Sequence, residues 1–436
     1  MTVQLMVGAA RAVISPPVGT LLMGYAPARP AKAIHDDLTV SVLALAYGNK
    51  QALLASATIG IFDNKRVQDI RHAIAGQTGI PWQNIILCAT HTHSGPETSA
   101  VHGWSDLNTG YYESILEPRL MEAVREAVDT MEAVKTGIGT SQSDVGVNRR
   151  SIDRNGKVNL GQCPWGYYDP TMTVISFRSP KRVVANIIHY CAHATAAGRN
   201  DEITRDWPGP MVDRLDTVTG GVTCFLNGAI GDTGPRLPNG ATTGDLAMAM
   251  ELGAKAGIDA AGAYHKIKEW RSLDLGMISR EICFPYAPLP PLSEAKAAIQ
   301  QFADPESLFG MPRANYVRWR NIIAEYESGR DLETHFHYDQ TLMRIGPVVF
   351  VPFAHEMFVE MTLRLRHYSP YPHTLCLSNA NGAYAYFPTQ DQICRGGYEI
   401  EAEKLLNTYI LAPDADEAAV SENLTLIEDL KLQQEQ

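Results

Sequence analysis

Stretches of two kinds alternate along the chain. Largely apolar runs rich in β-branched residues predict strands at 38–47, 52–61, 84–89, 171–177, 183–190, 222–226 and 348–353. A spacing near 3.6 residues predicts helices. Val67, Ile70 and Ile74 mark one, and Ile115, Leu116, Leu120, Val124, Val128 and Met131 mark a longer one. Further helices are predicted over 245–265, 293–302, 314–326, 357–366 and 417–432. Ser293 followed by Glu294 reads as an N-cap and a first-turn acid. The alternation predicts an α/β fold with one large mixed β-sheet flanked by helices. Internal repeats and low-complexity linkers are not visible. Pro285, Pro288, Pro290 and Pro291 predict a surface excursion rather than a domain break.

Composition narrows the class. The chain has 436 residues, of which 45% are hydrophobic and 19% charged, enough material for a large core. A net charge of −11 without any block of Lys and Arg argues against nucleic acid and against anionic membrane surfaces, both of which require basic patches. No apolar run approaches the roughly 20 residues that span a bilayer. Residues 1–10 carry no basic residue ahead of an apolar stretch and do not read as a signal peptide. The 7 cysteines are scattered, odd in number and without a CxxC pair, which points to reduced thiols and a cytoplasmic protein.

Several turns that follow strands carry candidate chemistry. The strand at 84–89 runs into Thr90-His91-Thr92-His93-Ser94-Gly95-Pro96. In extended backbone His91 and His93 share a face. Two imidazoles at a strand's C-terminal end can bind a metal, or one can bind it while the other moves protons. Two ordinary histidines in a turn are the plain alternative. The strand at 183–190 ends at His189 and leads to His193; His189, inside the strand, fits a structural role better. Glu356 opens a predicted helix, where the macrodipole alone explains a carboxylate, but it also suits a third metal ligand. The turn Asn227-Gly228-Ala229-Ile230-Gly231-Asp232-Thr233-Gly234-Pro235 permits close backbone approach to a ligand, and is neither a Walker A loop nor a dinucleotide fingerprint. Tyr384, Tyr386 and Tyr398 read in isolation as packing residues.

The order of these motifs is more specific than any one of them. THTHSGP, Asn148-Arg149, His193-Ala194-Thr195, the ITRDWPG segment around Asp206, NGAIGDTGP, the strand leading to Glu356, NGAYAYFPT and GGYE follow one another from Ala10-Arg11-Ala12-Val13-Ile14-Ser15-Pro16-Pro17 to Glu399. This succession resembles the catalytic domain of neutral (alkaline, non-lysosomal) ceramidases and their bacterial relatives. The resemblance implies one α/β catalytic domain over residues 1–436 and one zinc per chain, held by His91, His193, Glu356 and Tyr386. It places His93, Arg149, Tyr398 and Asp232 among the catalytic groups, and Asp206, Arg150, Thr233 and Gly234 near substrate.

Two departures shape the expected function. The family's Ser nucleophile lies in a GD-x-SP motif; here Gly234 holds that position, so an acyl-enzyme through it is chemically impossible. The expectation is hydrolysis of an amide C–N bond by metal-bound water, with Arg149 stabilising the oxyanion and His93 protonating the leaving group. Thr233 as nucleophile, a zinc esterase, lactonase or glycosidic-bond hydrolase, and a catalytically silent metal-containing binding protein are the alternatives. The chain also lacks the family's C-terminal β-sandwich and any apolar membrane-docking segment. A small soluble substrate is therefore expected in place of a membrane lipid, and a homo-oligomer stays open. The acidic balance favours neutral or cationic substrates, against which the Arg149-Arg150 pair acts locally.

Overall fold

The computed structural model describes residues 3–100 and 103–435; Met1 and Thr2 of the N-terminal stretch and Gln436 lie outside them. All seven strands and all seven helices expected from the pattern are present within a few residues of their predicted bounds. The class is α/β with mixed sheets, as expected. The strands, however, are divided over three principal sheets in place of one.

Each sheet is built by the same sequence of steps. A first strand pairs antiparallel with a second, and the second with a third. A helix then crosses over to a fourth strand that pairs parallel with the third, and another helix follows. The first sheet uses Met6–Val13, Thr39–Tyr47 and Lys50–Ala57, then the helix Asn64–Thr78 and the strand Ile85–Ala89. The second uses Lys135–Gln142, Thr171–Arg178 and Val183–Tyr190, then Pro208–Thr219 and Val222–Asn227. The third uses Leu275–Pro285, His335–Ile345 and Val348–Pro352, then Val359–Tyr368 and His373–Leu377. The closing helices are Glu117–Asp129, Leu246–His265 and Ala415–Glu435. The threefold repetition lies in topology and leaves no sequence repeat, because packing constrains the pattern of apolar positions and not their identity.

The inner faces of the three sheets meet in one interior. Leu43, Leu54 and Ile86 come from the first sheet, Ile175, Ile187 and Leu226 from the second, and Met343, Phe350 and Leu375 from the third. Helices cover the outer faces. Strands enclosed on both sides have no polar face, which is why they read as continuous apolar runs; every residue of Val183–Tyr190 is buried.

The Pro-rich excursion sits between the two long paired strands of the third sheet, Leu275–Pro285 and His335–Ile345, and carries the helices Leu292–Ile299 and Gly310–Glu327. Ser293 is not its N-cap: Pro291 holds that place without a side-chain hydrogen bond, and Ser293 lies inside the first turn. Proline's fixed φ begins a helix well without such a bond. All seven cysteines are unpaired. Among the described residues no helix is long and apolar enough to cross a membrane.

Candidate metal centre

The three parallel strand pairs point their C-terminal ends at one place, and hydrogen bonds stitch those ends together. Asn227 Nδ2 donates to the Thr90 carbonyl at 2.5 Å. Ser378 N donates to the Asn227 carbonyl at 3.0 Å, and Ala89 N to the Asn379 carbonyl at 3.1 Å. Asn381 closes the ring, accepting from Leu87 N through Oδ1 at 2.9 Å and donating its own N–H to the Leu87 carbonyl at 2.8 Å. His91 follows the end of the first sheet's strand, His193 the second's and Glu356 the third's.

The two histidines are oriented by their backbone surroundings. His91 Nδ1 lies 2.8 Å from the Gly60 carbonyl and His193 Nδ1 lies 2.6 Å from the Ile230 carbonyl. Carbonyls only accept, so each Nδ1 carries a proton, and a neutral ring presents its Nε2 lone pair to the cavity. Glu356 spans the two, with Oε1 3.3 Å from His91 Nε2 and Oε2 3.0 Å from His193 Nε2. Burial, and then the Arg149 charge, lower His193 to about 4 and keep it neutral. Burial pushes Glu356 up, but the facing histidines and Arg149 outweigh it and hold the carboxyl well below the usual carboxylate range. Near neutral pH His193 Nε2 and the Glu356 carboxylate are therefore acceptors facing one another. His193 Nε2 and Glu356 Oε2 are buried without a hydrogen-bond partner. Unpaired buried acceptors cost free energy, and a cation between them removes that cost. The residues fit a metal ion such as zinc, for which two neutral imidazoles and a carboxylate are ordinary ligands.

His93 enters the same cluster. One ligand nitrogen from each of His91, His93 and His193 lies within 4.8 Å of the others, and His93 Nε2 is 3.2 Å from His91 Nε2. The expected adjacency of His91 and His93 is present for a different reason from the one given by strand geometry. His91 is not extended; its φ is +65°. Gly24 permits the packing of His93, since a Cβ there would come within 2.5 Å of the imidazole. Asn379 and Ala385, which line the cavity, also have positive φ, at 51° and 56°. Strain of this kind collects where surrounding structure must aim side chains at a site.

Tyr386 is brought beside Glu356 by a short parallel pairing in which the two residues are partners. Glu356 thus precedes the helix that begins at Val359 by three residues and lies in this bridge, which separates it from the helix-start reading. The Tyr386 hydroxyl accepts from Arg149 Nη2 at 3.0 Å. Arg149 Nε donates to Glu399 Oε1 at 2.9 Å, and Arg150 Nη1 donates to Glu399 Oε2 at 2.7 Å. His91, His93, Glu356, Tyr386 and the rim residue Tyr398 line a cavity of about 710 Å³, counted with its open mouth.

The other expected site residues lie behind this cavity. Arg150 is spent on Glu399, Gln392 and the Gly396 carbonyl. Asp232, pushed up to about 7 by burial, accepts from Val359 N at 2.9 Å and so caps the third crossover helix. Asp206, pushed up to about 6 by burial, accepts from the backbone N–H groups of Ala196, Ala197 and Trp207 and clamps the loop that carries His193. Thr233 accepts from His193 N through its carbonyl, and its hydroxyl is buried away from the cavity lining. Glu399 and Asn227 were present in the motifs but carried no assigned role, because their importance depends on partners more than a hundred residues away.

A Cβ at Gly234 would lie 2.8 Å from Thr242 Cβ and Cγ2. Gly234→Ser is therefore expected to destabilise the protein by about 1–3 kcal/mol, as overpacking does, without creating a covalent intermediate. Denaturant unfolding, with and without Thr242→Ala as a relieving change, checks this.

No family model and no curated protein matches the sequence. Solved structures do match. Neutral ceramidase from Pseudomonas aeruginosa aligns with a TM-score of 0.75 and 16% identity, over 99% of this chain and 75% of that one. A ceramidase complexed with C2 aligns with a TM-score of 0.77 and 15% identity, over 99% of this chain and 76% of that one. The chain has a neutral-ceramidase fold. In the neutral-ceramidase fold as this chain builds it, all three sheets contribute to the centre, and a Cβ at position 234 would crowd Thr242.

Proposed function

We propose that this chain is a zinc-dependent hydrolase that cleaves an amide C–N bond of a small soluble substrate, with residues 1–436 acting as one catalytic domain. The carrying observation is the convergence of His91 and His193 Nε2 on the Glu356 carboxylate, with His193 Nε2 and Glu356 Oε2 buried and unpartnered. His91, His193, Glu356 and Tyr386 would hold the metal. The amide bond is taken from the likeness to ceramidases. When bound, zinc supplies a Lewis acid and lowers the pKa of a water from 15.7 towards about 7.

The chain's own groups account for the remainder. Arg149 is fixed by Glu399 and aims Nη2 at the Tyr386 hydroxyl, where it can stabilise negative charge developing on a carbonyl oxygen. His93, kept neutral by burial, is placed to take a proton from the attacking water and pass it to the departing amine. Tyr398 stands at the rim, in reach of substrate. Gly234 excludes a side-chain nucleophile at its position.

Chelation followed by zinc add-back tests the reading on a panel of short amides, lactams and esters. Hydrolysis is expected to vanish with chelator and to return at one zinc per chain. Turnover indifferent to chelation, or no zinc uptake, would sink it.

A further inference from the structure

Glu97 stands on the wall of the same cavity, four residues beyond His93. It also lines the outer groove next to that cavity, together with Trp104, Phe309 and Arg313, and so stands at the junction of the two. Its backbone is pinned. Thr98 Oγ1 donates to the Ile61 carbonyl at 2.6 Å, Tyr112 OH to the Thr98 carbonyl at 2.9 Å, and Asn108 N to the Glu97 carbonyl at 3.1 Å.

Glu97 is only 9% exposed. Burial pushes it up to about 7, although Ser105 and the Ser99 amide pull the other way; Asp106 adds repulsion, and no cationic group among the described residues offsets the cost. Among the described residues no Lys or Arg lines the cavity, whose remaining wall includes Met23, Ile61, Met311 and Leu406. The Ser99 amide supplies a hydrogen bond but no charge, and a buried carboxylate without a counter-charge is costly. Trp104 lines both spaces with Glu97, and an indole face also attracts a cation. The net charge of −11 favours cations across the whole surface.

We propose that the site selects an amide bearing a protonated amine, which pairs with the Glu97 carboxylate and lies against the Trp104 ring. This rests on the reading above for the position of the scissile bond, while the recognition itself is independent of the metal.

Two amides of similar length separate the possibilities: N-acetyl-1,4-diaminobutane, a cation, and N-acetylpentylamine, which is neutral. Their binding to metal-free protein is measured by calorimetry near pH 8, where an alkylamine is still protonated. The wild type is expected to bind the cation at least about tenfold more tightly, as a desolvated ion pair with a cation–π contact allows, and Glu97→Gln to reduce the preference to within about threefold. Equal binding, no binding of either amide, or a preference that survives Glu97→Gln overturns the proposal. Glu356 is the other acid of the cavity, so Glu356→Gln is expected to keep the preference; its loss there in place of Glu97→Gln also overturns the proposal. Hydrolysis by zinc-loaded protein is a separate readout. A cation preference with no metal-dependent turnover of any amide, lactam or ester overturns the hydrolase reading and keeps the recognition; turnover of both amides without a binding preference does the reverse.

Discussion

Glu356→Gln is expected to abolish productive zinc binding and to lower hydrolysis by roughly a thousandfold, about 4 kcal/mol at 1.36 kcal/mol per decade. Glu356 is the acidic group that faces both His91 and His193, at 3.3 and 3.0 Å. Without it the donor set loses its negative charge. The amide has a donor as well as an acceptor, so its N–H₂ can satisfy an imidazole lone pair that is orphaned in the wild type. Stability therefore separates a ligand from a packing residue. Zinc at a hundredfold its dissociation constant should stabilise the wild type by about 2.7 kcal/mol and the variant by almost nothing. The metal-free variant should be at least as stable as the metal-free wild type. Thermal unfolding with and without zinc, followed by metal analysis after dialysis, checks both. Equal zinc affinity in the two proteins would remove Glu356 from the ligand set.

Glu399→Ala is expected to destabilise the fold by about 3–5 kcal/mol, the usual consequence of removing one partner from a buried ion pair. Its side chain is 1% exposed, and its two oxygens are divided between Arg149 and Arg150, whose side chains are 5% and 3% exposed. Removal leaves two buried guanidinium groups short of a counter-charge. It also frees Arg149, which then no longer holds Nη2 against the Tyr386 hydroxyl. Activity should fall further than stability alone explains, measured at a temperature where the variant remains folded. Denaturant unfolding gives the first quantity and kcat the second. A change within about 1 kcal/mol of wild type would mean that water or a neighbouring acid replaces the lost carboxylate.

Much of the architecture was legible because buried strands and amphipathic helices announce themselves in the spacing of apolar residues. Val183–Tyr190 needed nothing more than its own eight side chains. The long partnered strands Leu275–Pro285 and His335–Ile345 were not legible, since each mixes exposed polar positions with buried ones. His91, His193 and Glu356 could be singled out from turns that follow strands. Glu97 and Glu399 could not, because an acidic residue in a turn looks solvated until the fold buries it.

The sequence by itself determined the α/β class, the order of the motifs and the absence of a side chain at Gly234, all of which are local properties of the chain. Only the tertiary structure decided that there are three sheets, that their strand ends meet at one centre, and that Arg150, Asp232 and Asp206 support that centre from behind. It also changed the account of His91 and His93, whose closeness comes from a left-handed turn at His91 and a side-chain-free Gly24 instead of a shared strand face. The reason is common to all these cases: a role set by partners from distant segments is a property of packing, and packing is not written in any single stretch of chain.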